Sequence, residues 1–373
     1  MSMLSAPARR RHSFAPLTVT GVERLTDDAV AVTFAVPSDP EEAAAFLDFR
    51  PGQHLTVRAR IDGADVRQSY SLCLPRSRAR TTRSVRVAAA RVPGGRMSNW
   101  LNDVVRVGDV LDVLPPLGSF THPTDPGAAR HHVFLAAGSG ITPVLSLIAS
   151  VLEDEPRSRV TLFYGNRSTR HVMFLEELED LKNTALDRFQ MVHVLSREET
   201  DVPLFHGRID AERLPRLLAA LAPVDTVDEW YLCGPNGLVE DARAFLAGAG
   251  VDASHVHHEV FHVPSQEDER RKVVVDESAP PEAVVTVNLD GRTSRIEMPT
   301  REESILDATL RVRPDAPYSC TGGVCGTCRA RVTSGEVRMD RNYALEPDEV
   351  AAGVVLACQS HPVSDEVHLD YDA

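Results

Sequence analysis

A chain of 373 residues is more than twice the length of a typical domain of roughly 150 residues, so two or three domains are expected. Its 43% hydrophobic and 25% charged residues match an ordinary globular protein and exclude disorder, a collagen-like fibre and a disulfide scaffold. A net charge of −14 argues against a nucleic-acid partner, no apolar run approaches the roughly 18 residues of a membrane span, and the arginine-bearing start Met1–Phe14 lacks a signal peptide's apolar stretch, so a cytoplasmic protein with no membrane association is expected.

In chain order, β-branched runs broken by Gly and Pro come first: Leu17–Thr20, Ala29–Val36, His54–Ala59, Ser84–Val92 and Val110–Leu114. They predict an antiparallel barrel or sandwich over residues 12–125. Over 126–263 short apolar strands (Val133–Ala137, Val160–Tyr164, Gln190–Leu195, Trp230–Cys233) alternate with helical patterns such as Met173–Lys182, the signature of a parallel sheet with helices on both sides. Residues 264–281 read as a charged, proline-ended linker with a root-mean-square reach of roughly 25 Å. In 282–373, Val284–Leu289 and Arg295–Met298 flank the hairpin signal Asp290-Gly291, and Thr300 with Glu303 suggests a capping box ahead of Ile305, Leu306 and Leu310.

Four of the six cysteines lie in this last part. Cys320, Cys325 and Cys328, with Cys358 twenty-nine intervening residues later, have the C-x4-C-x2-C…C spacing of plant-type [2Fe-2S] ferredoxins. Four thiolates must converge on two irons, and Gly322, Gly323 and Gly326 let the backbone wrap and aim N–H groups at sulfur. A four-cysteine zinc site, the alternative, usually pairs two C-x2-C knuckles, and only Cys325 and Cys328 make one here. His257, His258 and His262 do not suggest a metal site, because neighbouring strand residues point to opposite faces.

Further segments have the form of cofactor sites. Arg67-Gln-Ser-Tyr70-Ser71-Leu72 precedes Gly94-Gly95-Arg96-Met97-Ser98, where glycines open a helix whose N-terminus suits an anion. Pro116-Leu-Gly118-Ser-Phe120 follows. Gly138-Ser-Gly140-Ile-Thr142-Pro143 succeeds an apolar strand, with Thr142 expected to cap a helix that opens on Pro143. Ser196-Arg197 ends another strand, and an arginine fork suits a phosphate dianion.

Together these segments resemble, over nearly the whole chain, the ferredoxin-NADP reductase family with a C-terminal plant-type ferredoxin, in the group of oxygenase reductases that includes those of phenylacetyl-CoA epoxidases and ketosteroid hydroxylases. The resemblance implies an antiparallel FAD-binding barrel, a parallel-sheet NAD(P)-binding domain and a β-grasp-like [2Fe-2S] ferredoxin domain. It also implies electron flow from NADPH, with NADH possible, through FAD and the cluster to a partner oxygenase component. By the same resemblance Arg67, Tyr70, Ser71, Leu72, Gly94, Gly95, Arg96, Met97, Ser98 and Phe120 bind FAD. Gly138, Gly140, Thr142, Arg167, Ser196, Arg197, Gly234 and Pro235 bind the nicotinamide nucleotide, and Ser71, Cys233 and Glu259 flank the reacting rings. One departure is visible: the family's arginine two residues before the tyrosine is Gln68 here, and Arg67 stands one residue early. Service to a Rieske oxygenase, a desaturase or a haem monooxygenase, and a non-catalytic zinc-stabilised binding module, remain as alternatives.

Overall fold

The computed structural model describes residues 13–262, 273, 275–276 and 278–373. The expected linker and the arginine-bearing start fall largely outside them. Apolar alternation broken by Gly and Pro produces six strands first: β1 (Ala15–Thr26), β2 (Ala29–Ala35), β3 (His54–Ile61), β4 (Ala64–Ser71), β5 (Ser84–Ala90) and β6 (Val110–Leu117). They lie in the order β4-β3-β6-β1-β2-β5. Where the chain leaves β4, Leu72 bridges Val87 of β5 and the Cys73 N–H donates to the Arg86 carbonyl at 3.0 Å, so the outermost strands meet and the barrel closes. Three helices accompany it: α1 (Pro40–Leu47), α2 (Arg76–Thr82) and α3 (Arg96–Asp103).

Alternating strands and helices then build the second layer: β7 (His131–Ala137), α4 (Ile141–Asp154), β8 (Arg159–Asn166), α5 (Leu175–Thr184), β9 (Phe189–Leu195), α6 (Arg213–Leu221), β10 (Glu229–Pro235), α7 (Asn236–Gly248) and β11 (Val256–His262). All neighbouring pairs are parallel, in the order β11-β10-β7-β8-β9. The winding reverses between β7 and β10, which opens a crevice at their carboxyl ends. Barrel residues Ala29, Cys73, Ala88 and Phe120 share one core with Phe134, Ile141, Ile148, Tyr164 and Tyr231 of this sheet and its helices. Pro16–Val66 and Tyr70–Val263, most of the two predicted domains, thus pack as one compact unit.

The C-terminal unit has its own core around Val285, Ile296, Leu306, Leu356 and Leu369. Its elements are β12 (Ala283–Leu289), β13 (Arg292–Met298), α8 (Ile305–Val312), β14 (Arg329–Ser334), β15 (Val337–Met339), α9 (Pro347–Ala351), β16 (Val354–Leu356), β17 (Ser360–Pro362) and β18 (Glu366–Asp370). The main sheet runs β13-β12-β18-β14-β16, with β12 and β18 parallel, and β15 pairs with β17. Asp290 (φ 52°) and Gly291 (φ 68°) both adopt the left-handed conformation that a two-residue hairpin turn requires. The helix cap sits four residues beyond its expected place, and it is a plain N-cap, not a capping box. Ser304, not Thr300, caps α8: its Oγ accepts the Asp307 N–H at 3.1 Å and donates to the Asp307 carboxylate at 2.9 Å, while Glu303 pairs with Arg311.

Candidate cofactor and electron-transfer sites

A cavity of about 670 Å³ opens at the carboxyl ends of the parallel strands. Gly138 and Ser139 after β7, Arg167 after β8, Ser196 and Arg197 after β9, and Gly234 and Pro235 at the end of β10 line it, with Met173 and Phe261. This is the volume and the place in which a parallel sheet holds a dinucleotide. The Tyr164 hydroxyl donates to the Gly138 carbonyl at 3.0 Å and so holds the glycine turn.

Two expected loop residues stand behind the cavity. Gly140 is buried, and a Cβ there would lie 2.2 Å from the Cys233 carbonyl, so glycine is required for the turn to seat on β10. Thr142 does not cap α4, which begins at Ile141 after the turn Gly138–Gly140. The Thr142 hydroxyl donates back to the Ser139 carbonyl at 3.0 Å. The compact glycine turn already leads the chain into the helix, so no side-chain cap is needed.

Cys233 is fully buried on β10, in register with Glu259 on β11. Burial, reinforced by the Glu259 carboxylate, pushes its thiol well above the usual range. It is therefore a neutral buried thiol, not a thiolate nucleophile.

The cations of the cavity differ in how they are held. Arg91 is clamped by Asp103 at 2.5 and 2.7 Å, and Arg167 lies 3.9 Å from Asp28. Arg197 and Arg208 line the cavity and make no ion pair among the described residues. Sequence reading missed Arg208. It reaches the cavity that Arg197 also lines because Leu195 bridges His206 and the Gly207 N–H donates to the Leu195 carbonyl at 2.8 Å. A pair of arginines with no carboxylate partner fits a phosphate dianion.

On the barrel, Tyr70 and Ser71 close β4, and the Leu72 N–H donates to the Gln53 carbonyl at 2.9 Å. The Tyr70 hydroxyl is buried with no hydrogen-bond partner among the described residues, and burial raises its pKa. A buried orphan hydroxyl fits a site completed by a polar ligand such as FAD. Gly94 (φ +75°) turns the chain into α3, for which Gly95 is the cap. The Ser98 hydroxyl accepts the Val92 N–H at 3.2 Å, and Arg96 donates to the Ile61 carbonyl at 2.5 Å. Met97 is buried, and the helix N-terminus carries the partial positive charge that suits an anion. The Phe120 ring is in the core, 5.9 Å edge-on to Tyr231, so its loop can offer backbone to a ligand but not the ring face.

In the C-terminal unit the four predicted cysteines converge. The Gly322 and Cys325 N–H groups point at Cys320 Sγ (3.4 and 3.3 Å), and those of Cys320 and Thr327 at Cys325 Sγ (3.5 Å each). The Gln359 side-chain amide lies 3.7 Å from Cys358 Sγ. Left-handed Gly323 (φ +80°) and Gly326 (φ +66°) shape the loop. Hydrogen bonding from Cys325 and then burial raise the Cys320 thiol, and the same effects from Cys358 raise Cys328. Thiols crowded against one another and ringed by N–H donors fit a cluster that takes them as thiolates.

Comparison with known proteins agrees segment by segment. Family models match as an oxidoreductase FAD-binding domain over residues 16–122, an oxidoreductase NAD-binding domain over 134–244 and a 2Fe-2S iron-sulfur cluster binding domain over 287–363. The last sets aside the zinc module. The chain is 42% identical to a subunit of the 1,2-phenylacetyl-CoA epoxidase of Escherichia coli (strain K12), covering 97% of this chain and 98% of that one. It is 35% identical to the ferredoxin reductase component of 3-ketosteroid-9-alpha-monooxygenase of Rhodococcus rhodochrous, over 95% and 96% of the two chains. It shares the fold of phthalate dioxygenase reductase, with a TM-score of 0.58 at 24% identity, over 96% of this chain and 98% of that one. Among the described residues no helix is long and apolar enough to cross a membrane. A barrel, a nucleotide crevice and a four-cysteine loop in this order, each matched over its own segment, make the chain a member of the flavin- and [2Fe-2S]-dependent reductase components of oxygenases.

Proposed function

We propose that this reductase draws on NADPH, works in the cytoplasm and serves an epoxidase acting on phenylacetyl-CoA. The observation that carries the partner is the 42% identity to the epoxidase component across nearly both whole chains. That for the nucleotide is the pair Arg197 and Arg208, both lining the crevice and neither ion-paired among the described residues. In this reading Arg197, Arg208 and Ser196 take the 2′-phosphate. The Gly138 and Gly234–Pro235 turns let the nucleotide backbone approach, with Gly140 seating the first turn and Thr142 bracing it. Arg167 is recruited from Asp28 when a phosphate competes for it.

Tyr70 and Ser71 face the flavin ring, Leu72 anchors their strand, and Gly94–Ser98 at the start of α3 cradle the pyrophosphate. Arg67 is proposed as a further flavin ligand in place of the family's arginine at the Gln68 position, and Phe120 as the residue fixing the adenine loop. Cys233 and Glu259 pack at the nicotinamide, the thiol neutral and therefore spectator to proton traffic. Cys320, Cys325, Cys328 and Cys358 hold the cluster. FAD held by these residues would supply the conversion of a two-electron hydride into the single electrons that a [2Fe-2S] centre can take. Residues 12–125, 126–263 and 282–373 are proposed as the three functional modules, joined by the linker 264–281.

The test is reconstitution. The holoprotein, mixed with the oxygenase component of a phenylacetyl-CoA epoxidase, phenylacetyl-CoA, oxygen and NADPH, should form epoxide at a rate that saturates with reductase. A ketosteroid monooxygenase reading is favoured by the 35% identity to that system's reductase. Support of a ketosteroid oxygenase, with none for the epoxidase, would establish it instead.

A further inference from the structure

A buried polar chain outside the cofactor contacts joins the barrel to the parallel sheet. Glu155, the residue that ends α4, is fully buried and accepts four hydrogen bonds: from His122 Nε2 (2.8 Å), the Asp125 N–H (3.1 Å), His132 Nε2 (3.0 Å) and Ser158 Oγ (2.6 Å). Each imidazole gives its Nε2 proton to a different carboxylate oxygen, which saturates the acceptor. His122 Nδ1 is then left as an acceptor, and the buried Tyr231 hydroxyl donates to it at 2.7 Å. The Tyr231 ring is stacked between Phe134 (4.9 Å) and His257 (4.7 Å), with Phe120 against its edge.

Phe120 carries the connection into the barrel. Its carbonyl would lie 1.9 Å from a Cβ at Gly52, so the two backbones are in direct contact. The next residue, Gln53, donates from its side chain to the Gly118 carbonyl at 3.3 Å and accepts the Leu72 N–H at 2.9 Å. A continuous path therefore runs from Leu72, beside Tyr70 and Ser71, through Gln53 and Phe120 to Tyr231. Two residues farther along β10, roughly 6.6 Å away and on the same side of the strand, is Cys233.

The geometry points to a positioning role: the Glu155–His122–Tyr231 chain pins the Phe120 loop to β10 and so fixes the separation between the Tyr70–Ser71 strand and Cys233 across which hydride passes. This rests on the proposed placement of those residues at the flavin and the nicotinamide. Hydride transfer is steeply sensitive to donor–acceptor distance, and a misplacement of about 1 Å costs on the order of a hundredfold in rate. Tyr231 and His122 are positioning residues, since they act through β10 and the loop.

The experiment uses the full-length holoprotein carrying Tyr231→Phe, which removes the hydroxyl and keeps the stacked ring, and His122→Asn as a second variant. Anaerobic stopped-flow flavin reduction by NADPH and by its 4-deuterated form gives the limiting rate, the nucleotide dissociation constant and the isotope effect. Tyr231→Phe should lower the limiting rate about tenfold and raise the isotope effect, leaving the dissociation constant and the flavin and iron content unchanged. An unchanged limiting rate and isotope effect in both variants would overturn the inference, whatever happens to the thermal midpoint. Cys233→Ser separates the premises. If it slows reduction at saturating NADPH while neither Tyr231→Phe nor His122→Asn does, the site assignment stands and the positioning role falls. If none of the three slows it, the site assignment falls too.

Discussion

Arg197 makes the residue-scale case for nucleotide choice. It lines the crevice without an ion-pair partner among the described residues, so if it takes the 2′-phosphate as proposed, its removal subtracts a charge-assisted bond from the phosphorylated nucleotide alone. Arg197→Ala should raise the KM for NADPH about ten- to a hundredfold and barely change that for NADH, in steady-state ferricyanide reduction. Equal effects on both nucleotides would remove Arg197 from the specificity site. Gly140 is constrained differently: a Cβ there would meet the Cys233 carbonyl at 2.2 Å and the Gly234 nitrogen at 2.9 Å, both backbone atoms that cannot swing aside. Gly140→Ala should therefore cost about 1–3 kcal/mol, read as a lower thermal midpoint. Gly248→Ala, in α7 with open space around it, should be neutral or stabilise by up to about 1 kcal/mol.

Among elements, the junction of α4, β7 and β10 responds to pH. Burial and then the neighbouring His122 lower the pKa of His132 to about 4, against the bond from Glu155 that opposes them. Burial alone would raise Glu155, but the bonds from Ser158, His122, Asp125 and His132 hold it at about 2. An imidazole kept neutral in the folded state takes up a proton more readily when unfolded, so its contribution is complete above the ordinary value near 6.5 and is lost between there and about 4. The Glu155 contribution persists until the acid side of that window. The thermal midpoint should fall as pH drops from 7 to 4, with His132→Gln flattening the slope. An equally steep slope in that variant would place the titrating group elsewhere.

Elements were legible where local chemistry dictates them. Asp290-Gly291 announces its hairpin because both positions need φ above zero, and the cysteine spacing announces its loop because four thiolates must reach one centre. β4 was visible only as a motif, since Ala64–Ser71 has few apolar residues. The helix cap at Ser304 competed with the equally good pattern at Thr300–Glu303, and buried Glu303 was already committed to Arg311. Arg208 and the Glu155 network could not be read from spacing at all. One depends on a bridge between residues 195 and 206, and the other draws residues 122, 132, 155 and 231 from four separate parts of the chain.

On the scale of the whole molecule, function divides along the two units. The barrel and the parallel sheet share a core, so a chain ending at His262 should fold, bind flavin and reduce ferricyanide with NADPH. It should fail to reduce cytochrome c efficiently or to drive an oxygenase, since the exit runs through the cysteine loop. Full oxygenase turnover by the shortened chain would show electrons leaving the flavin directly. From Glu282 onward there are nine basic and sixteen acidic residues, a net charge of −7, and so the part bearing the cluster is the one suited to meet a basic oxygenase surface.

The C-terminal sheet carries a consequence for biosynthesis. β18 is the last of its strands in the chain yet lies inside the sheet, between β12 and β14. While the polypeptide is still being made, the β12–β13 hairpin must wait with the inner edge of β12 open, and β14 likewise lacks its neighbour. Open edges are templates for pairing with other chains, so the newborn protein passes through a window of aggregation risk that closes only when Glu366–Asp370 slots in. Stalled or clipped chains lacking that strand are expected to collect in inclusion bodies without iron, whereas the complete chain stays in the supernatant.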